Sequence, residues 1–344
     1  MSIPEVGFAI PGDIDTRTGG YGYDRRLIVG LRAQGFAIRH LAWPDGFPSP
    51  DGTALAAAAR SLASQPDGRI VIVDGLAFGA IPELAAEEGE RLRFVALVHH
   101  PLVLETNAPR GLHAAEREAL RHTRAVIVTS KATAETLRRE YDVPMGHLLV
   151  APPGTDAAPL APRHGRPPHL LSLGAVTPRK GHDILVAALA RIADLPWRCT
   201  IAGSLDRDMD AVRKLRAQIE AVGLGGRVVL QGEVDDVGPL FASADLFVLA
   251  SRHEGFGMAY AEALARGLPI VGTLAGAIPD VVPREAGALV PPGDPAALGA
   301  ALRHLLSDRE ARETAASASR RAGGQLPRWG DTIDSVASLL RRLS

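Results

Sequence analysis

The chain has 344 residues, 46% hydrophobic and 22% charged, which suits a globular protein with two cores rather than one. A formal net charge of −1 gives no electrostatic footprint for nucleic acid, and the single cysteine, Cys199, excludes an intramolecular disulfide and a cysteine-built zinc site. No apolar run approaches the length of about 18 residues that spans a bilayer. The opening "MSIPEVGFAIPGD" has neither the charged start nor the long apolar core of a signal peptide. A cytoplasmic protein is therefore expected, and attachment to the inner face of a membrane stays compatible with it. Of the 38 basic residues only Lys131, Lys180 and Lys214 are lysines, so a lysine is a marked choice in this chain.

In chain order, short apolar runs alternate with helical patterns. The first half carries "VGFAI", "FAIRHL", "RIVIVD", "RFVALV", "AVIVT" and "LLVAPPG", with "YDRRLIVGLRAQG", "DGTALAAAARSLASQ" and "SKATAETLRREY" between them. The proline- and alanine-rich "TDAAPLAPRHGRPP", residues 155–168, has no period and reads as a linker. The second half carries "HLLSLG", "WRCTIAG", "RVVLQG", "DLFVLAS", "LPIVG" and "GALVPP". Continuous apolar strands alternating with helices predict parallel sheets covered on both faces, hence an α/β protein of two doubly wound domains. The domains are placed at residues 1–160 and 161–325. A tail, residues 326–344, ends in the amphipathic "DTIDSVASLLRRLS", which must dock on something already built. Cys199, inside "WRCTIAG", reads as an inert core residue.

Open α/β sheets bind ligands beyond the carboxyl ends of their strands, so the residues there are the candidates. After the first strand, Gly19 and Gly20 come just before a helix, where backbone N–H groups can approach an anion; an ordinary flexible turn is the competing reading. After the fourth strand come His99 and His100, able to donate to a sugar or phosphate oxygen. After "HLLSLG", Arg179 and Lys180 precede a helix starting near Gly181, a convergence of cations and helix N-terminus that suits a diphosphate. Asp206, Asp208 and Asp210 alternate as metal ligands can, but they also stand where a helix start favours aspartates. Finally "SRHEGFGMAYAEALARG", residues 251–267, presents Glu254, then a turn through Gly255, Phe256, Gly257 and Met258, then Glu262 within a helix. Two carboxylates flanking an anion-accepting helix tip fit a nucleotide sugar, one taking sugar hydroxyls and the other the ribose.

These stretches, with "APPGTD", "SLGAVTPRKGHD", "IAGS", "LQGEV", "GAIPD" and "GALVPPGD" in order, resemble the retaining GT-B glycosyltransferases of family four. The resemblance implies two Rossmann-like domains facing across a cleft, an N-terminal acceptor domain and a C-terminal donor domain, with the tail helix crossing back onto the first. It implies that Arg179 and Lys180 bind the donor diphosphate and that Glu254 contacts the donor sugar. Gly255, Phe256, Gly257 and Met258 would offer backbone to sugar and phosphate, and Glu262 would hold the ribose. Glu233 and Val234 would line the base pocket, Gly203 would belong to the donor-binding residues, and Gly19 and Gly20 would close over the phosphates. His99 matches the family's histidine near the reacting sugar, with His100 as the alternative. The implied reaction is retaining transfer of a hexosyl group from a nucleotide diphosphate sugar, a UDP-sugar such as UDP-glucose ahead of a GDP-sugar, to an acceptor hydroxyl. The acceptor would be a small molecule or glycan, or else a lipid, and no cofactor or metal is implied. A nucleotide-sugar epimerase of the same fold, or a non-catalytic nucleotide-sugar binding protein, is the alternative. The residues leave donor base, acceptor and oligomeric state open.

Overall fold

The computed structural model describes residues 5–105 and 111–344. Residues 106–110, in the loop that follows His99 and His100, lie outside the described residues. Two six-stranded sheets are present, and every adjacent strand pair in them is parallel. The first holds β1 (Glu5–Pro11), β2 (Ala37–Trp43), β3 (Ile70–Asp74), β4 (Arg93–Val98), β5 (Thr123–Val128) and β6 (Leu148–Val150), in the order β2-β1-β3-β4-β5-β6. The second holds β7 (His169–Leu173), β8 (Arg198–Ala202), β9 (Val228–Gly232), β10 (Leu246–Val248), β11 (Ile270–Thr273) and β12 (Gly287–Val290), in the order β12-β11-β10-β7-β8-β9. These are the α/β elements the apolar runs predict. The strand order reverses between β1 and β3 in one sheet and between β7 and β10 in the other, and ligand crevices form at such switch points.

Each sheet is buried on both faces, which is why its strands are apolar without alternation. Phe78, Phe94 and Leu120 fill one side of the first sheet, and Phe8, Leu27 and Leu31 the other. Leu185, Trp197 and Leu302 fill one side of the second, and Phe241, Phe247 and Tyr260 the other. Cys199 lies in the second core, and burial pushes its thiol up to about 12.

The chain divides into two compact units, Met1–Gly154 with Pro327–Ser344, and Thr155–Leu326. Residues 155–160 thus group with the second unit. The irregular stretch after Gly154 is tied to that unit: Ala161 N–H donates to the Arg266 carbonyl (2.9 Å), and Gly165 N–H to Asp245 Oδ1 (2.9 Å). The helix Gly19–Ala33 starts earlier than the sequence suggests. Thr18 caps it by accepting from Tyr21 N–H (3.0 Å), so Gly19 and Gly20 form its first turn instead of preceding it.

The tail helix Trp329–Leu343 completes the first unit. Val336, Ala337 and Leu340 are fully buried in the core beside Leu27 and Leu31, and Ile333 lies over Gly30. Thr332 Oγ1 donates to the Pro152 carbonyl (2.6 Å). Because this helix supplies core to the unit that starts the chain, Leu340→Ala should cost about 2–4 kcal/mol of that unit's stability, read as a lower urea midpoint. An unchanged midpoint would show that the tail contributes no core.

Candidate functional site

In the second unit the loops after β7 and β10 meet at the switch point. The β7 loop ends in a single turn, Pro178–Lys180, followed by Gly181 and the helix His182–Ala190. Gly181 has φ +67°, and a Cβ there would strike the Ala250 carbonyl oxygen. Only glycine lets the two loops come this close. They are then fastened together. Arg252 N–H donates to the Arg179 carbonyl (2.7 Å), and the Arg252 guanidinium grips both carboxylate oxygens of Asp183 (2.9 and 2.6 Å).

This brings Glu254 against the cations. Lys180 Nζ donates to Glu254 Oε1 (2.7 Å), Ser251 Oγ donates to the same oxygen (2.6 Å), and Arg179 Nη1 lies 3.6 Å from Oε2. The Glu254 carbonyl accepts from Ala277 N–H (2.9 Å). Glu254 is 6% exposed. Burial alone would raise its pKa, but Lys180, Arg179 and the two side-chain hydrogen bonds outweigh it and hold the carboxyl at about 2. His182 beside them is kept neutral, its pKa lowered to about 4 by burial and by Lys180. One carboxylate against two cations leaves a positive excess at a strand-end crevice, where a phosphate group is a fitting partner.

The helix Met258–Ala265 follows, with Gly257 as its N-cap at φ +98° and Met258 as its first residue. Gly255 is buried and Phe256 half-buried. Tyr260 Oη anchors the helix to the Leu249 carbonyl (2.6 Å). Glu262 lies on this helix; burial raises its pKa, Arg266 opposes that rise and Asp156 adds to it. Gly203 follows β8 with its N–H on the Gly232 carbonyl (2.9 Å), packed so tightly on the Gly174 carbonyl that no side chain fits. Glu233, exposed, and Val234, half-buried, follow the edge strand β9.

The first unit gathers a second cluster. His99 follows β4, and its Nε2 lies 3.3 Å from Asp24 Oδ1 and 3.6 Å from Asp74 Oδ2. Gly20 lies against the same ring. The two histidines part company: His100 Nε2 sits 2.6 Å from Glu105 Oε1. Burial would lower the His99 pKa, but the Asp24 hydrogen bond and the charges of Asp24 and Asp74 raise it; burial and Asp74 raise that of Asp24. The donor atoms of Asp24, Asp74 and His99 all lie within 4.8 Å of one another, close enough to share a cation or a proton.

Asp24, Asp74, Ser251, Asp183 and Arg252 do not figure among the candidates read from sequence. Asp74 ends a strand, so the strand-end rule reaches it. Asp24 was signalled only as an acid on the same buried helix face as Tyr23, Leu27 and Ile28. The aspartates 206–210 act at a helix start: Asp208 accepts from Ala211 N–H (2.8 Å), and Asp210 pairs with Lys214 (2.6 Å) at the surface. Lys180 is the one lysine of the three that is largely shielded; Lys131 and Lys214 are exposed.

The folded pKa of Glu254 is depressed, so its pairing contributes stability that is complete above the unfolded value of 4.5 and is lost as pH falls through about 2. The stability difference between the wild type and Glu254→Gln should therefore shrink between those limits, measured by urea unfolding at a series of pH values. A difference independent of pH would show that Glu254 is not charge-paired.

Comparisons with known proteins identify the family. The family described as Glycosyl transferases group 1 matches residues 167–308, and Glycosyltransferase Family 4 matches residues 21–158. An MMP alpha-(1->4)-mannosyltransferase of Mycolicibacterium hassiacum is 30% identical over 312 residues, 81% of this chain and 72% of that protein. A D-inositol 3-phosphate glycosyltransferase of Xylanimonas cellulosilytica is 31% identical over 275 residues, 70% of this chain but 65% of that protein. Sucrose-phosphate synthase from Thermosynechococcus elongatus superposes with a TM-score of 0.84 at 21% identity, covering 98% of each chain. Anabaena HepE, solved with UDP and glucose, superposes with a TM-score of 0.80 at 19% identity, covering 98% of this chain and 99% of that one. The chain therefore belongs to the glycosyltransferase group 1, family 4 enzymes of GT-B fold, and it is a hexosyltransferase.

Proposed function

We propose that the chain moves a hexosyl group, with retention, from a UDP-sugar to an acceptor hydroxyl on a small molecule or glycan. The observation that carries this reading is the Arg179–Lys180–Glu254 cluster at the β7/β10 switch point, two cations around one buried carboxylate. In this reading the donor diphosphate lies on Arg179 and Lys180, and Glu254 takes donor-sugar hydroxyls while fixing the lysine. Glu262 holds the ribose, Glu233 and Val234 flank the base, and His99 serves the reacting sugar. The bond from the anomeric carbon to the phosphate oxygen breaks as the acceptor oxygen bonds on the same face, and the leaving phosphate takes the acceptor's proton. Charge grows on that phosphate in the transition state, so Arg179 and Lys180 act on the rate more than on ground-state affinity. The reading assigns no metal to the chemistry, since the two cations supply the charge a metal would.

UDP-glucose is the first donor to try, because HepE, which shares the fold, was crystallised with UDP-glucose. GDP-mannose is the second, because the M. hassiacum relative is a mannosyltransferase. Lys180→Ala should lower kcat by roughly 10²–10³-fold, the usual loss for one preorganised charge-stabilising group. The test is a donor panel of UDP- and GDP-sugars scored by release of the nucleoside diphosphate, with and without sugar, inositol and glycan acceptors. Release that depends on an acceptor supports the reading. Interconversion of the donor sugar without release would replace it by an epimerase, and binding without turnover by a sugar-nucleotide binding protein. Wild-type rates in Lys180→Ala would remove the cluster from the chemistry.

A further inference from the structure

His99 is held from several sides. Tyr23 meets its ring edge-on, with centroids 5.4 Å apart at 81°. The first turn of the Gly19–Ala33 helix lies so near that a Cβ on Gly20 would stand 3.2 Å from Cδ2. Thr129 Oγ1 donates to the His99 carbonyl (3.1 Å) and fixes the backbone where it leaves β4. Asp74 is itself fixed, its Oδ1 accepting from Leu76 N–H (2.7 Å). Asp24 on the helix, Asp74 at the end of β3 and the neutral Tyr23 are the titratable groups that face the ring among the described residues.

The charge balance decides what the ring must be. Asp24 is fully buried and Asp74 2% exposed. Two buried carboxylates around one nitrogen are costly unless protons offset them. A neutral imidazole supplies no positive charge, whereas a doubly protonated ring cancels one of the two negative charges. With Nε2 committed to the carboxylates, Nδ1 is the ring nitrogen left to donate elsewhere, and the side chain retains 20% of its exposure.

We infer that Asp24 and Asp74 are positioning residues for His99: they lock its ring and keep it an imidazolium, so that Nδ1–H serves as a cationic donor to a substrate oxygen. This rests on the transferase reading above. Neither carboxylate touches substrate; both act through the histidine, as a buried acid does when it fixes a catalytic imidazole.

The experiment has two arms. In the first, the substrate-free protein is labelled with 15N, and the ring resonances of His99, assigned with His99→Gln, are followed from pH 5 to 9. The expected result is a His99 that stays doubly protonated beyond the range where ordinary histidines titrate, about 6.5, and that titrates at lower pH in Asp74→Asn. This arm needs no substrate, so it is decided separately from the transferase reading. In the second, Asp24→Asn and Asp74→Asn are assayed with UDP-glucose and GDP-mannose. The expected result is a fall in kcat of roughly 10–100-fold with little change in donor KM. A His99 that titrates with the exposed histidines, or unchanged kcat in both variants, overturns the inference. So does one equivalent of a divalent cation bound by the wild type and lost in Asp24→Asn, because the three side chains would then be ligands.

Discussion

The buried ion pair between Lys180 and Glu254 is the interaction on which the second unit's site depends. A carboxylate removed from water is unfavourable by several kcal/mol unless charges and hydrogen bonds surround it, and here Lys180, Arg179 and Ser251 do so together. The pair spans 74 residues of sequence, so it exists only once β7 and β10 lie side by side. Gly181 against Ala250, and Arg252 on Asp183, make that approach possible and then hold it. What a ligand would meet is therefore a preorganised charge array in which each cation is already aimed, and preorganisation is what makes such arrays useful for stabilising a transition state.

The first unit solves a similar problem with opposite polarity. There a strand-end histidine is surrounded by two carboxylates, Asp24 and Asp74, brought together by the switch between β1 and β3. In both units the titratable groups sit where the strand order reverses, because the adjacent loops there diverge to opposite faces of the sheet and leave a crevice. In both, burial amplifies charge interactions that would be weak at a surface. The tail helix serves the first unit differently, by filling the core face that carries the Gly19–Ala33 helix, which bears Gly20, Tyr23 and Asp24.

The same physics separates the residues that matter from those that only look charged. Asp210 and Lys214 form a short pair at the exposed surface, where solvent screens it to little value. Arg303 and Asp194 do the same on another face. Glu254 and Lys180 make a contact of similar length, but burial turns it into a constraint on how the loops are arranged.

Strand positions were legible in the sequence because a parallel sheet covered on both faces needs uninterrupted apolar runs, and such runs stand out against helical periodicity. Arg179, Lys180 and Glu254 were legible because polar residues directly after a buried strand have few structural reasons to be there. Such cues are local, and partners distant in sequence leave no trace in them. Neither the turn of Glu254 back onto Lys180, nor the joining of the loops by Asp183 and Arg252, nor the different carboxylates taken by the adjacent His99 and His100 is legible there. The helix expected after Gly20 starts at Gly19, because the capping role of Thr18 depends on backbone geometry and not on residue type alone. By itself the sequence determined which segments become strands and which of their ends carry charge. Only the tertiary structure decided which charges meet, because pairing across tens of residues is set by strand order, and strand order is set by packing.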